Sequence, residues 1–183
     1  MNMHFNLKAC VVAAAMLALP VAHAATMTKA DYKAGKARIG ADYKSDKGAC
    51  ASLASNAKDV CIKEAKAKEK VALAELEFGY TGKAKDRNKI LVVKAESTYA
   101  VAKERCDDKS GNAKDVCVKE AKAVEIKALA DARMGREIGE AKKDAAAEKR
   151  EADYKVALEK CEALAGDAKA SCIAKAKANF GKS

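Results

Sequence analysis

Hydrophobic and polar positions obey two different rules along this 183-residue chain. From Ala9 to Leu19, eleven consecutive residues are uncharged and mostly apolar. Beyond residue 25 no block of that kind returns. Large apolar residues there are spaced among Ala, Lys and Glu, with no sustained period-two alternation to suggest a strand. Ala, Lys, Glu and Leu are strong helix formers, and the only proline, Pro20, lies upstream. The pattern predicts helices over roughly 28–53, 56–78, 83–109, 112–134, 137–164 and 167–180. Ile90-Leu91-Val92-Val93 is the most apolar run of this region, which marks the third helix as one that packs on more than one neighbour.

An internal repeat organises the helices. Cys50, Cys106 and Cys161 are spaced by 56 and 55 residues, and Cys61, Cys117 and Cys172 follow the same spacing. Tyr43, Tyr99 and Tyr154 each lie seven residues before the first cysteine of their unit. NAKDVCIKEAKA (Asn56 to Ala67) and NAKDVCVKEAKA (Asn112 to Ala123) differ at one position, and DAKASCIAKAKA (Asp167 to Ala178) is a looser third copy. A match of this length implies repeated structural units. The units are 25–79, 80–135 and 136–183, after a leader of 1–24.

Within each unit the turn signals are explicit. Gly111 and Gly166 suit the left-handed position that ends a helix, and Ser55 in their place predicts a slightly longer first turn. Asn56, Asn112 and Asp167 suit the N-cap of the next helix, with Asp59 and Asp115 three residues on as in a capping box. Between units, Gly79 with Gly82 and Gly135 with Gly139 mark either turns or kinks within one long helix, with turns the favoured reading.

The cysteines sit at equal offsets from these turns. Cys106 is five residues before Gly111 and Cys117 five after Asn112, and the other two units repeat the offset. Antiparallel helices leaving a tight turn return to the same height at equal distances, so the two cysteines can face each other. The pairing expected is Cys50–Cys61, Cys106–Cys117 and Cys161–Cys172, each contributing roughly 2–3 kcal/mol by loop entropy. The tyrosines lie two turns away on the same face and are read as packing residues. Redox catalysis would call for C-x-x-C near a βαβ pattern, and neither is present; zinc would call for four thiolates from two units in an oxidising compartment, with no histidine to help.

Composition adds the compartment. Residues 1–24 read as a signal peptide: Lys8 is the basic region, Ala9 to Leu19 the apolar core, and Ala22-His23-Ala24 the peptidase site, with cleavage between Ala24 and Ala25. The apolar core is too short to span a bilayer. Cleavage removes His4, His23, Pro20 and Cys10, leaving 159 residues with six cysteines, no His and no Trp. An even number of cysteines in an exported chain points to disulfides and to a periplasmic or secreted location. The 50% hydrophobic fraction overstates the core, because alanine buries little area. A thin core of this kind relies on staples.

Chemistry is sparse. Without histidine the usual Ser-His-Asp and Cys-His arrangements cannot form. No glycine-rich phosphate loop is present, and carboxylates such as Glu75, Glu77, Asp107 and Asp108 are mixed with lysines. No catalytic, cofactor-binding or metal-ligating residue is assigned, and the expectation is a protein that is not an enzyme. Net charge is +10, or +9 once Lys8 is lost. Interspersed Lys and Glu, as in Lys66 to Lys70, read as solvated helix faces. The basic excess leaves lipopolysaccharide or acidic wall polymers open as partners, and export weighs against nucleic acid.

The expected fold is all-α: three tandem, disulfide-stapled antiparallel hairpins of about six helices, forming an elongated bundle or solenoid-like array. The proline-free Ala/Lys/Glu helices resemble the long helical region of TolA-type cell-envelope proteins. With its C-x10-C repeat the chain is similar to uncharacterised proteobacterial exported Ala/Lys-rich proteins. The resemblance implies the cell envelope and brings no site residues. The functional expectation is a non-enzymatic envelope structural or protein-interaction module that self-associates or binds an envelope partner. The alternatives are a periplasmic stress or holdase-type chaperone and a polyanion binder.

Overall fold

A computed structural model of the chain describes residues 27–182. The expected signal peptide and its expected cleavage site between Ala24 and Ala25 lie outside the described residues. The protein is all-α, with helices α1 (Lys29–Ala49), α2 (Ser55–Thr81), α3 (Ala84–Arg105), α4 (Gly111–Glu162) and α5 (Gly166–Phe180). Short 3-10 turns at Cys50–Ser52 and Cys106–Asp108 end the first arm of two hairpins.

Among the described residues substantial packing occurs only between helices consecutive in sequence, which gives the array its solenoid-like character. α3 packs on both α2 and α4, as the apolar run at 90–93 requires. α2 and α3 are antiparallel: Lys63 pairs with Glu104 at 3.5 Å at one end and Glu75 with Lys94 at 2.7 Å towards the other. The turns of the first two hairpins therefore lie at the same end.

Three turns share one backbone recipe. Ala54, Ser110 and Ala165 are extended, and the next residue, Ser55, Gly111 or Gly166, takes φ of 48°, 53° or 56°. The turn at Ser55 is no longer than the others. Serine adopts the left-handed conformation there, and the disulfide closes over it. The expected caps at Asn56, Asn112 and Asp167 do not form. The left-handed residue begins the second helix instead of ending the first, so the cap falls two positions earlier, at Ala54, Ser110 and Ala165, without side-chain hydrogen bonds. Asn56 instead donates through Nδ2 to the Glu104 carbonyl at 3.1 Å, tying the first turn to the end of α3. The capping box occurs at the start of α1, where Thr28 Oγ1 accepts from the Asp31 N–H at 3.1 Å and Asp31 accepts from the Thr28 N–H.

Among the described residues the helix count is five, not six. Gly82 ends α2 with φ of 62°, as the glycines between the first two units predicted. The expected turn at Gly135 and Gly139 is absent, and α4 runs unbroken for 52 residues. Adding the repeat length to position 82 shows why: the equivalent residue is Ile138. A β-branched residue with positive φ is strongly disfavoured, so the helix continues through a point where the first repeat turns.

The core is as thin as the composition implies. Among the described residues the buried hydrophobics are five alanines and three cysteines. Close approach substitutes for bulk. A Cβ added to Gly35 of α1 would lie 2.7 Å from Leu76 Cδ1 of α2, so glycine is what lets these helices meet.

Candidate interaction surfaces

The disulfides are Cys50–Cys61, Cys106–Cys117 and Cys161–Cys172, with Cα–Cα distances of 5.7, 5.8 and 5.7 Å. The first cysteine of each pair is fully buried. Each bridge joins the two arms of its hairpin as a clasp. Cys117 and Cys161 are 44 residues apart on one helix, or about 66 Å at 1.5 Å per residue. Two clasps thus sit together at one end of the array and the third stands well away.

Each repeat tyrosine is half-buried and covered by a lysine from the neighbouring segment. Lys66 Nζ lies 4.9 Å from the Tyr43 ring and Lys122 Nζ 4.8 Å from the Tyr99 ring. Glu69 and the buried Glu125 hold these ammonium groups. Their hydrogen bonds are the main reason that Lys66 and Lys122 titrate above the ordinary lysine value. In the third unit the position of Glu69 and Glu125 is taken by Phe180, which packs on Tyr154 at 5.7 Å. There Lys182 lies over Tyr154 and pairs with Glu151 at 2.6 Å. The reading of the tyrosines as packing residues did not include these lysines. The signal was in the repeat, since Lys66 and Lys122 stand at equal positions in the matching segments.

Hairpin 1 is closed at its open end as well. Tyr32 stacks on Tyr80 at 4.6 Å and donates its hydroxyl proton to Glu77. That hydrogen bond holds the Tyr32 phenol above its usual titration range.

Open grooves lie between the helices of the described residues. One, of about 440 Å³, runs between α2 and α3 over Ala67, Val71 and Val101, rimmed by Lys68, Lys94 and Arg105. Each rim cation has a carboxylate partner: Asp46 for Lys68 at 2.8 Å, Glu75 for Lys94, and Glu64 for Arg105. These neighbours cancel much of the field that an anionic polymer would meet. The second groove, of about 550 Å³, lies on hairpin 3 over Leu164, Ala168, Ala176 and Phe180.

The largest uncovered element is α4. Its N-terminal part packs on α3 and its C-terminal part on α5. Residues 133–150 between them are exposed on every face. Among the described residues no helix is long and apolar enough to cross a membrane. No protein-family model matches the chain, and no curated protein or solved structure matches it either.

Proposed function

We propose that this chain is a non-enzymatic, exported helical repeat protein that serves the cell envelope as a structural or protein-interaction module. The observation that carries this reading is the bare stretch 133–150 of α4, which holds a stapled hairpin away from the rest of the array. A helix exposed on every face, with no neighbour packed against it, connects packed bodies, and a connector has use where the two bodies engage something else. The three disulfides support an oxidising compartment, periplasmic or extracellular. The test uses mature protein, residues 25–183, passed over envelope extract. It should either self-associate or retain one defined partner, and retention should fall when residues 133–150 are replaced by a Gly/Ser linker. A monomer that retains nothing refutes the reading.

The groove on hairpin 3 supports a second reading, a holdase-type chaperone, because Leu164 is exposed beside Phe180 there. Suppression of client aggregation at stoichiometric ratios, lost in Leu164→Asp, is the expected result under that reading. No suppression at molar excess refutes it. The polyanion alternative is weakened by the paired rim cations, and its signature would be binding that collapses with added salt.

A further inference from the structure

The exposed surface of α4 is not uniformly polar. At 100° per residue, Val116, Val124, Met134, Ile138 and Val156 fall within an arc of about 80°. Each is between 45% and 56% exposed, and Ile126 is the exposed large apolar residue of α4 that lies outside the arc. The residues of α4 buried by its neighbours, Glu125, Ala132 and Cys161, lie roughly 130° away around the axis. α3 and α5 therefore sit on the same far side of α4, and the apolar arc is open along the helix.

Through the bare stretch this arc takes heptad form. Met134, Ile138, Ala141, Ala145 and Ala152 are spaced by four, three, four and seven residues, as the a and d positions of a coiled coil are. The flanking charges then sort by position. The e sites are Gly135, Lys142 and Lys149; the g sites are Glu137, Asp144 and Glu151. Glu137, Lys142, Asp144 and Lys149 form no ion pair among the described residues. In a parallel pair, each g residue meets the e residue of the partner's next heptad, so Glu137 faces Lys142 and Asp144 faces Lys149, twice by symmetry. An antiparallel pair would set carboxylate against carboxylate and lysine against lysine.

We propose that two copies of this chain associate in parallel and in register through residues 134–152 of α4, as a short two-stranded coiled coil. The inference rests on the reading of the chain as an interaction module and names its partner as a second copy. The helix is already formed in the single chain, so pairing pays little of the ordering cost that limits short coiled coils. An alanine-rich seam of three heptads buries modest area, which makes the association weak and concentration-dependent. Glu148 falls at a d site, where two like charges face each other and weaken the dimer further.

Sedimentation equilibrium of residues 25–183, from micromolar to near-millimolar protein, tests the proposal. A monomer–dimer equilibrium is expected. Ile138→Asp, and separately Lys142→Glu with Lys149→Glu, should weaken it about tenfold or more. Glu148→Ala should tighten it. Mixing the Lys142→Glu/Lys149→Glu protein with a Glu137→Lys/Asp144→Lys protein should restore association. Zero-length carbodiimide cross-links from Glu137 to Lys142 between differently isotope-labelled copies should report the parallel register. Far-UV circular dichroism should show unchanged helicity in every variant, because the altered side chains are exposed. A monomer at all concentrations, or a dimer indifferent to these substitutions, overturns the proposal. A monomer that still retains an envelope partner overturns it and leaves the module reading standing; one that retains nothing overturns both.

Discussion

The continuity of α4 makes a quantitative prediction at Gly135 and Gly139. Both are helical, and a Cβ built at either meets nothing within 4 Å. Alanine at each site therefore brings its full advantage in helix propensity, about 1 kcal/mol, without steric cost. The two sites are close but do not touch, so the double variant should gain about 2 kcal/mol. No tertiary contact covers residues 133–150, so the gain falls on local opening of this stretch and not on the hairpins. Native-state hydrogen exchange should then slow by roughly thirtyfold in the amides of 133–150, with little change around the disulfides. Gly82→Ala is the internal control. Its φ of 62° is left-handed, so alanine there should lose about 1 kcal/mol. If Gly135→Ala/Gly139→Ala left exchange unchanged or accelerated it, the glycines would be turn residues and the unbroken helix would be wrong.

Other outcomes follow from the same structure. Ser55→Gly should stabilise hairpin 1 by about 1 kcal/mol in denaturant unfolding, because serine is held there at φ 48° while glycine adopts that conformation freely. Gly35→Ala should destabilise despite the gain in propensity, since its Cβ would overlap Leu76 Cδ1; a net stabilisation would mean that α1 and α2 can move apart without loss. Removing one clasp with Cys106→Ser/Cys117→Ser should cost about 3 kcal/mol from the loop it closes, with helicity retained at room temperature by circular dichroism. Stability against pH should fall on both sides of a plateau. Lys66, Lys68 and Lys122 titrate above 10.5 because of hydrogen bonds to Glu69, Asp46 and Glu125. Their contribution is full below 10.5 and lost as pH rises through the raised values. Glu151 titrates below 4.5 because of its hydrogen bond to Lys182, so its contribution is present above 4.5 and lost as pH falls through the lowered value. Glu151→Gln should flatten the acid limb for hairpin 3, read by the exchange of α5 amides.

Much of the fold was legible in residues, and the exceptions have specific causes. The clasps could be read because equal offsets from a tight turn leave little choice of partner. The caps were misplaced by two residues because the same glycine chemistry serves either to end one helix or to begin the next, and only the backbone angles at Ser110 and Gly111 tell which. The second inter-unit turn was inferred from Gly135, which matches Gly79. The residue that matters is the one matching Gly82, and it is Ile138. The lysine covers on Tyr43 and Tyr99 were missed because cation–π contact needs two helices in a defined register, and periodicity along one helix does not show it.

By itself the sequence determined what is local: helix propensity without proline, three turns able to accept a left-handed residue, and cysteines at heights that close each hairpin. Tertiary structure decided how the hairpins share helices. α3 spans 22 residues and α5 spans 15, while α4 spans 52. Helices of those lengths, lying along the same side of α4 at opposite ends, cannot cover it. The bare central stretch is the remainder of that mismatch. Its exposure follows from which helices pack on which, a relation between segments far apart in the chain that no local pattern specifies.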